Sequence, residues 1–506
     1  MLFHLPLLSC LIWVSALGAI PVLAYSGADQ ANKARWIALF ISLLTVVLSA
    51  MMILQFNSDS SEMQFVEQAS WIPSLKIDYH LGVDGLSVPL IALTCFTTVV
   101  VVLASWTMVT ERVAQYLAAF LVMQGMVIGV FASIDAILFY FFWEGMLIPM
   151  YLSIGIWGSK NRSYAAIKFF LYTFLGSALL LIIFLYLRMA GGDFNILHFQ
   201  SMMITRHIQD IIFFGFLIGF AVKVPMWPFH TWLPDAHTEA PTGGSVVLAA
   251  LMLKIGAYGF LRFSLPIVPD ACHHYVWLML ILSLISVIYV GMVALVQTDM
   301  KKLIAYSSIS HMGFVTLGCF IPLLMLRTVA NMEDAYMSLE GAMVQMIAHA
   351  FGSGAMFLGF GILYQQLQSR NIEDMGGITK TMPYFTAFFM VFCMSNVGLP
   401  GTSGFVGEFM IIISAFKANV WIALFAASTL FIGASYTLLM FKRVFYGPVA
   451  NDKVAALKDI GSLDKFNFVL LTAAILYLGL YPNGLLNLLH ASVDHLLQLS
   501  MSTKIV

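Results

Sequence analysis

Apolar segments of about twenty residues succeed one another from end to end of this chain, and no polar window between them could hold a soluble domain. Within lipid, each backbone N–H and C=O must find its partner inside the protein, so a chain built this way folds as spanning helices. The composition agrees: 10% of the residues are charged and 61% are apolar, whereas a soluble domain carries about 25% charged residues. The expected fold is an all-α polytopic membrane protein, a single domain over 1–506. Its helices are expected at 3–25, 35–55, 83–108, 114–132, 134–157, 164–189, 208–226, 243–263, 274–297, 301–320, 337–366, 382–416 (interrupted), 420–441 and 466–490, about fourteen crossings. The first apolar run has only His4 and no Lys or Arg before it, and it is too long for a signal peptide core, so it reads as a spanning helix.

The net charge is -1, which excludes a broad basic surface for nucleic acid. Cys10, Cys95, Cys272, Cys319 and Cys393 are scattered, without the pairs that hold an iron–sulfur cluster or zinc. Cys272, His273 and His274 adjoin one another, and adjacent residues converge poorly on one ion. No glycine-rich nucleotide-binding motif is present. The chain is therefore expected to hold no cofactor and no metal.

Positive residues divide unevenly between alternate connections. With the N-terminus outside, the inner side holds Lys33, Arg35, Arg112, Lys160, Arg162, Lys168, Lys301, Lys302, Arg370, Lys380, Lys442, Arg443, Lys453, Lys458 and Lys465. The outer side holds Lys76, Arg188, Arg206, Arg262, Arg327, Lys417 and Lys504. Such an excess marks the cytoplasmic face, so both termini are expected on the outer side of the membrane. Lys223 and Lys254 belong to neither set and lie inside apolar helices.

An ionisable group in hydrocarbon is costly and signals function. Glu144, Lys223, Lys254, His311, His349 and Glu408 all sit within apolar helices, at similar depth by residue count, and form the candidate functional set. Such a row has a definite chemistry. Desolvation weakens a lysine's hold on its proton and a nearby carboxylate strengthens it, so movement of Glu144 relative to Lys223 would gate proton release toward Lys254. Imidazoles accept and donate between stronger groups, and Glu408 supplies the terminal acid.

The backbone fits transport. Val224-Pro225 with Trp227-Pro228, and the run Gly398-Leu399-Pro400-Gly401 ahead of Glu408, are expected to break helices seven and twelve. Broken helices inside a membrane are tolerated beside a wet cavity, and a pair of them points to a translocation site. Asp135, Leu138 and Tyr140 are echoed by Asp299, Leu303 and Tyr306, and Leu175-Gly176-Ser177 by Phe351-Gly352-Ser353. Each echo is offset by five helices, so two inverted five-helix repeats are expected, at about 114–263 and 274–446.

The segments IDYHLGVDGLSVPL, FYFFWEGMLIPMY, FAVKVPMWPFHTWLPDAHTEAPTGGSVVLAALMLKIGAYGFLRF, QTDMKKLIAYSSISHMGF, QMIAHAFGSGAMF and GLPGTSGFVGEF carry a specific resemblance over nearly the whole chain. They resemble the antiporter-like membrane subunits of respiratory complex I, the proton-translocating NADH:quinone oxidoreductase, and within these the M (chain 4) branch. The resemblance implies that Glu144 and Lys223 form a coupling pair, that Lys254 is the central carrier and that Glu408 is terminal. Glu408 selects the M branch, because L and N subunits typically have Lys there. It also implies no flavin, iron–sulfur cluster or quinone in this chain, and neighbouring L and N subunits and the lateral helix of L as partners in the bilayer.

Two rivals share parts of this reading. A subunit of a multi-subunit sodium/proton antiporter has the same fold, but a sodium site needs several oxygen ligands and a lysine pair supplies none. A non-transporting scaffold would use the polar row only to hold helices together.

Overall fold

A computed structural model describes residues 6–325 and 332–505. His4, Arg327 and the start of the first expected helix lie outside the described residues. Helices follow in order as α1 (Leu7–Leu23), α2 (Ala31–Gln55), α3 (Ser87–Met108), α4 (Val113–Ala132), α5 (Ala136–Trp157) and α6 (Arg162–Gly191). Helix α7 comes in two pieces, Arg206–Lys223 and Trp232–Glu239, followed by α8 (Thr242–Ile267), α9 (Val276–Leu295), α10 (Met300–Met325) and α11 (Met332–Leu367). Helix α12 is also divided, into Pro383–Val397 and Ser403–Ala418, and α13 (Val420–Phe445), α14 (Ser462–Leu480) and α15 (Asn483–Met501) complete the chain. Eleven of these are long and apolar enough to cross a membrane. Helix α1 is shorter, and both expected breaks are present.

Burial sorts the helices into a core and a rim. Helices α8 and α10 are buried along their whole apolar length. Helices α2, α6 and α13 present large side chains outward, among them Phe40, Leu54, Leu171, Leu175, Trp421 and Phe431. A helix apolar on every face suits either a core or a lipid environment, and both uses occur here.

Three departures from the sequence reading have physical causes. Residues 230–237, which fall between the helices expected at 208–226 and 243–263, lie largely in the second piece of α7, because that piece refolds after its prolines and buries Trp232, Leu233 and Ala236. The last crossing ends at Leu480 rather than near 490, since Pro482 stops it and α15 begins afresh. The fold also holds an antiparallel hairpin, β1 (Gln64–Ile72) and β2 (Ile77–Val83), which the all-α reading left unassigned. Its turn uses Lys76 at φ 54. Glu67 on β1 accepts hydrogen bonds from the Leu8 and Ser9 amides, so the hairpin caps α1 from outside that helix.

Helix α15 crosses the hairpin end of the bundle. The Ser492 hydroxyl accepts from Gly85 N–H at 2.8 Å, and the Lys504 amide donates to Asp270 at 2.8 Å. Tyr336 donates to Asp494, and Glu340 pairs with His490, so the helix also ties down the start of α11.

Arg262 and Lys301, which the sequence assigned to loops, are buried. Arg262 donates to Asp84 at 2.6 Å and to the Tyr258 hydroxyl at 3.0 Å, locking α8 to the segment joining β2 and α3. Removing one partner of a buried pair leaves a stranded charge, worth about 3–5 kcal/mol. Asp84→Ala is therefore expected to lower the thermal stability of the assembled complex by about that amount. The double variant Asp84→Leu with Arg262→Met is expected to recover most of it in the same melt.

Candidate functional site

Glu144 lies at a turn inside α5, where Met146 interrupts the helix, and Tyr140 and Ser177 stand beside it. Lys223 ends the first piece of α7, with its ammonium 5.3 Å from the Trp143 ring centroid and 5.9 Å from that of Phe169. Neither Lys223 Nζ nor Glu144 Oε1 has a hydrogen-bond partner among the described residues. Glu144 and Lys223 are thus not paired with each other here, and the lysine rests against aromatic faces that suit a cation.

A helix that stops inside the bundle leaves carbonyls without partners. Around the α7 break they are met locally: Met226 N–H donates to Ala221 O, and the Trp232 indole to Val222 O, both at 2.8 Å. Ser286 on α9 accepts from Trp227 N–H at 2.9 Å. The break is therefore a built feature, and it leaves Lys223 at a helix end.

Lys254 sits between two π-helical stretches of α8, Leu248–Met252 and Phe260–Ser264. These widen the turn and present the Ala249 carbonyl, which accepts from Lys254 Nζ at 2.5 Å. Single π turns within α-helices occur often at functional sites. Lys254 Nζ is also 2.7 Å from His349 Nδ1 on α11. The His349 and His311 rings are 5.8 Å apart, and His311 Nδ1 is 3.1 Å from Glu408 Oε1. Four candidates therefore lie in one buried succession, Lys254, His349, His311 and Glu408, with Tyr436 3.4 Å from the far nitrogen of His311.

Glu408 follows the break in α12. Gly398, at φ 79, lies so close that a Cβ there would come within 2.7 Å of Glu408 Oε2, which is why the break carries glycine at that point.

One further histidine lies beside this line. His237 is wholly buried, stacks on Phe357 with centroids 4.4 Å apart, and has neither ring nitrogen paired among the described residues. The electrostatic fields of Lys254 and Lys301 both reach it. Beyond it a cavity of about 320 Å³ is lined by Thr238, Glu239, Lys301 and Arg370. Sequence reasoning gave His237 no place in the row; its signal was a histidine three residues after a proline in a broken helix. Cys272 donates to Ser264 O while His273 meets Ser500 O, so the Cys-His-His run diverges. Among the described residues no group of three His, Cys, Asp or Glu side chains could hold a metal.

Residues 133–433 match the family described as NADH:quinone oxidoreductase/Mrp antiporter, TM, and residues 13–131 match NADH-ubiquinone oxidoreductase chain 4, amino terminus. NADH-quinone oxidoreductase subunit M of Rhodobacter capsulatus is 44% identical, covering 94% of this chain and 92% of its own. A chain of respiratory complex I from Thermus thermophilus superposes with TM-score 0.86 at 27% identity, covering 98% of this chain and 100% of that chain. A chain of the Mrp complex from Dietzia sp. DQ12-45-1b gives 0.80 at 20% identity, covering 98% of this chain and 52% of that one, which is a likeness of fold alone. With family matches spanning most of its length and a relative this similar from end to end, the chain belongs to the subunit M (chain 4) family of NADH-quinone oxidoreductase.

Proposed function

We propose that this membrane-spanning subunit of NADH-quinone oxidoreductase moves protons along the row Glu144, Lys223, Lys254, His349, His311 and Glu408. The observation that carries the reading is the buried succession of Lys254 Nζ, two neighbouring imidazoles and a carboxylate. Each member can hold or pass a proton, and a packing role would not need four titratable groups in sequence. The open Glu144–Lys223 pair acts as the gate: when the carboxylate approaches, the lysine keeps its proton, and when it withdraws, the proton passes on toward Lys254.

The cavity by Glu239, Lys301 and Arg370, with His237 behind it, serves as the inlet. It opens at the end of the bundle opposite the hairpin, which is the cytoplasmic end by the distribution of Lys and Arg. Both termini are then periplasmic, in a bacterial inner membrane. A thiol at Lys160 is expected to react with an impermeant reagent from the cytoplasmic side and a thiol at Ser70 on the hairpin from the other. The reverse labelling pattern would overturn this orientation.

The two halves repeat in the same order but with opposite orientation across the membrane. Asp135 accepts from the Ile137 and Leu138 amides and bridges to Asn195, at the hairpin end. Asp299 accepts from the Lys301 and Lys302 amides and bridges to Asn371, at the inlet end. The likeness supports repeats at about 114–263 and 274–446. Electrons pass through other subunits, and this chain works without flavin, iron–sulfur cluster, quinone or metal. Its membrane neighbours are the L and N subunits and the lateral helix of L.

The test is Lys254→Met, which keeps length and removes the proton site. In the reconstituted complex it is expected to assemble while protons moved per NADH oxidised fall severely. A wild-type ratio would refute the relay.

A further inference from the structure

The row has a gap that direct contact does not close. His349 uses Nδ1 toward Lys254, and its Nε2 has no hydrogen-bond partner among the described residues. His311 Nδ1 is near Glu408, yet its geometry makes no hydrogen bond, and the two imidazole centroids are 5.8 Å apart. A third unpartnered atom lies beside these two: Oε1 of Gln345, a side chain 2% exposed on α11.

All three residues line one cavity of about 10 Å³, together with Ser353, Ser395 and Asn396. That volume is about one water's worth, and a polar pocket offering several partners is the kind that holds one. The other end of the Gln345 amide is committed, because Nε2 donates to Glu408 Oε1 at 3.1 Å. Gly407 brings the helices together here, since a Cβ on it would come within 2.6 Å of the Gln345 backbone nitrogen.

We infer that Gln345 is a positioning residue that holds a single water between His349 and His311 and, through the same amide, the carboxylate that receives the proton. His349 gives its Nε2 proton to the water oxygen, and the water gives one of its own hydrogens to His311, whose Nδ1 faces Glu408. One proton leaves His349, one reaches Glu408 by way of His311, and the water is restored. The Gln345 amide never titrates. Its Oε1 accepts the water's second hydrogen, which fixes the orientation in which the transferred hydrogen points at His311. Its Nε2 keeps Glu408 turned to the same histidine.

This rests on the relay proposed above, so the experiment separates the two. The intact complex carrying Gln345→Met, an apolar side chain of similar length, is compared with Gln124→Met. Gln124 is an equally buried glutamine that bonds Thr45 on α2, away from the row. Both are reconstituted in vesicles beside Lys254→Met. For Gln345→Met, proton-coupled turnover is expected to fall at least fivefold, and its solvent deuterium isotope effect at least to double as the hop becomes limiting. Gln124→Met is expected to keep wild-type values of both. Wild-type turnover with an unchanged isotope effect in Gln345→Met would overturn the inference, as would an equal loss in Gln124→Met. If Lys254→Met stops pumping while Gln345→Met does not, only the role of Gln345 fails. If Lys254→Met pumps normally, the relay itself fails.

Discussion

Glu408→Gln is expected to assemble normally and to lose most of its proton translocation, a loss of about a hundredfold in the transfer step if the carboxylate is the obligate acceptor. The amide keeps the shape of the side chain and can still bond Gln345, which donates to it at 3.1 Å. It also fits against Gly398 as the carboxylate does. What it cannot do is take up and release a proton. Glu408→Asp is expected to keep part of the function with a shorter reach, because the acid survives. Glu408→Lys is the informative case: retained pumping would mean that this position needs a titratable group of either sign, and loss would mean that the line past His311 is tuned to an acid. Proton-to-electron ratios in vesicles decide between them. A wild-type ratio in Glu408→Gln would mean that protons leave the row at the histidines.

Glu144→Gln and Glu144→Ala are expected to reduce pumping as severely, by a different route. Glu144 is not in the succession that begins at Lys254; in the proposed mechanism it acts on Lys223, whose ammonium rests on Trp143 and Phe169 without a partner among the described residues. A neutral residue at 144 cannot change the lysine's hold on its proton, so the gate has one setting. Assembly should be unaffected, because Glu144 makes no ion pair among the described residues that the substitution would break. Vesicles carrying Glu144→Ala that translocate protons at the wild-type ratio would contradict the coupling role.

Much of this was legible because lipid imposes strong rules on sequence. Long apolar runs located the helices, and prolines and glycines at 224–228 and 398–401 located the two breaks, since each removes or relaxes a specific backbone constraint. The candidate residues stood out because charge is rare in such segments. Contacts between helices were not legible. That Lys254 meets His349 and not Lys223 depends on how α8 and α11 pack, and the π turns that turn the Ala249 carbonyl toward Lys254 have no plain sequence signature. Arg262 and Lys301 read as loop charges because helix ends are ambiguous by a few residues; their partners, Asp84 and the Ala240 carbonyl, lie far away in sequence. The hairpin and α15 were missed for a related reason. Neither is apolar enough to look like a span, and each is held by long-range bonds such as Gly85 N–H to Ser492.

The central claim is that the row titrates, as opposed to merely carrying charge that binds helices together. Lys254→Arg separates these most directly, because guanidinium keeps the positive charge and hydrogen-bonding capacity but does not release its proton in proteins. The measurement is protons translocated per NADH oxidised by the purified, reconstituted complex, with assembly checked on the same sample. The relay predicts that Lys254→Arg assembles like the wild type and pumps as poorly as Lys254→Met. A wild-type ratio in Lys254→Arg would show that fixed charge suffices, and the relay through Lys254 would be wrong.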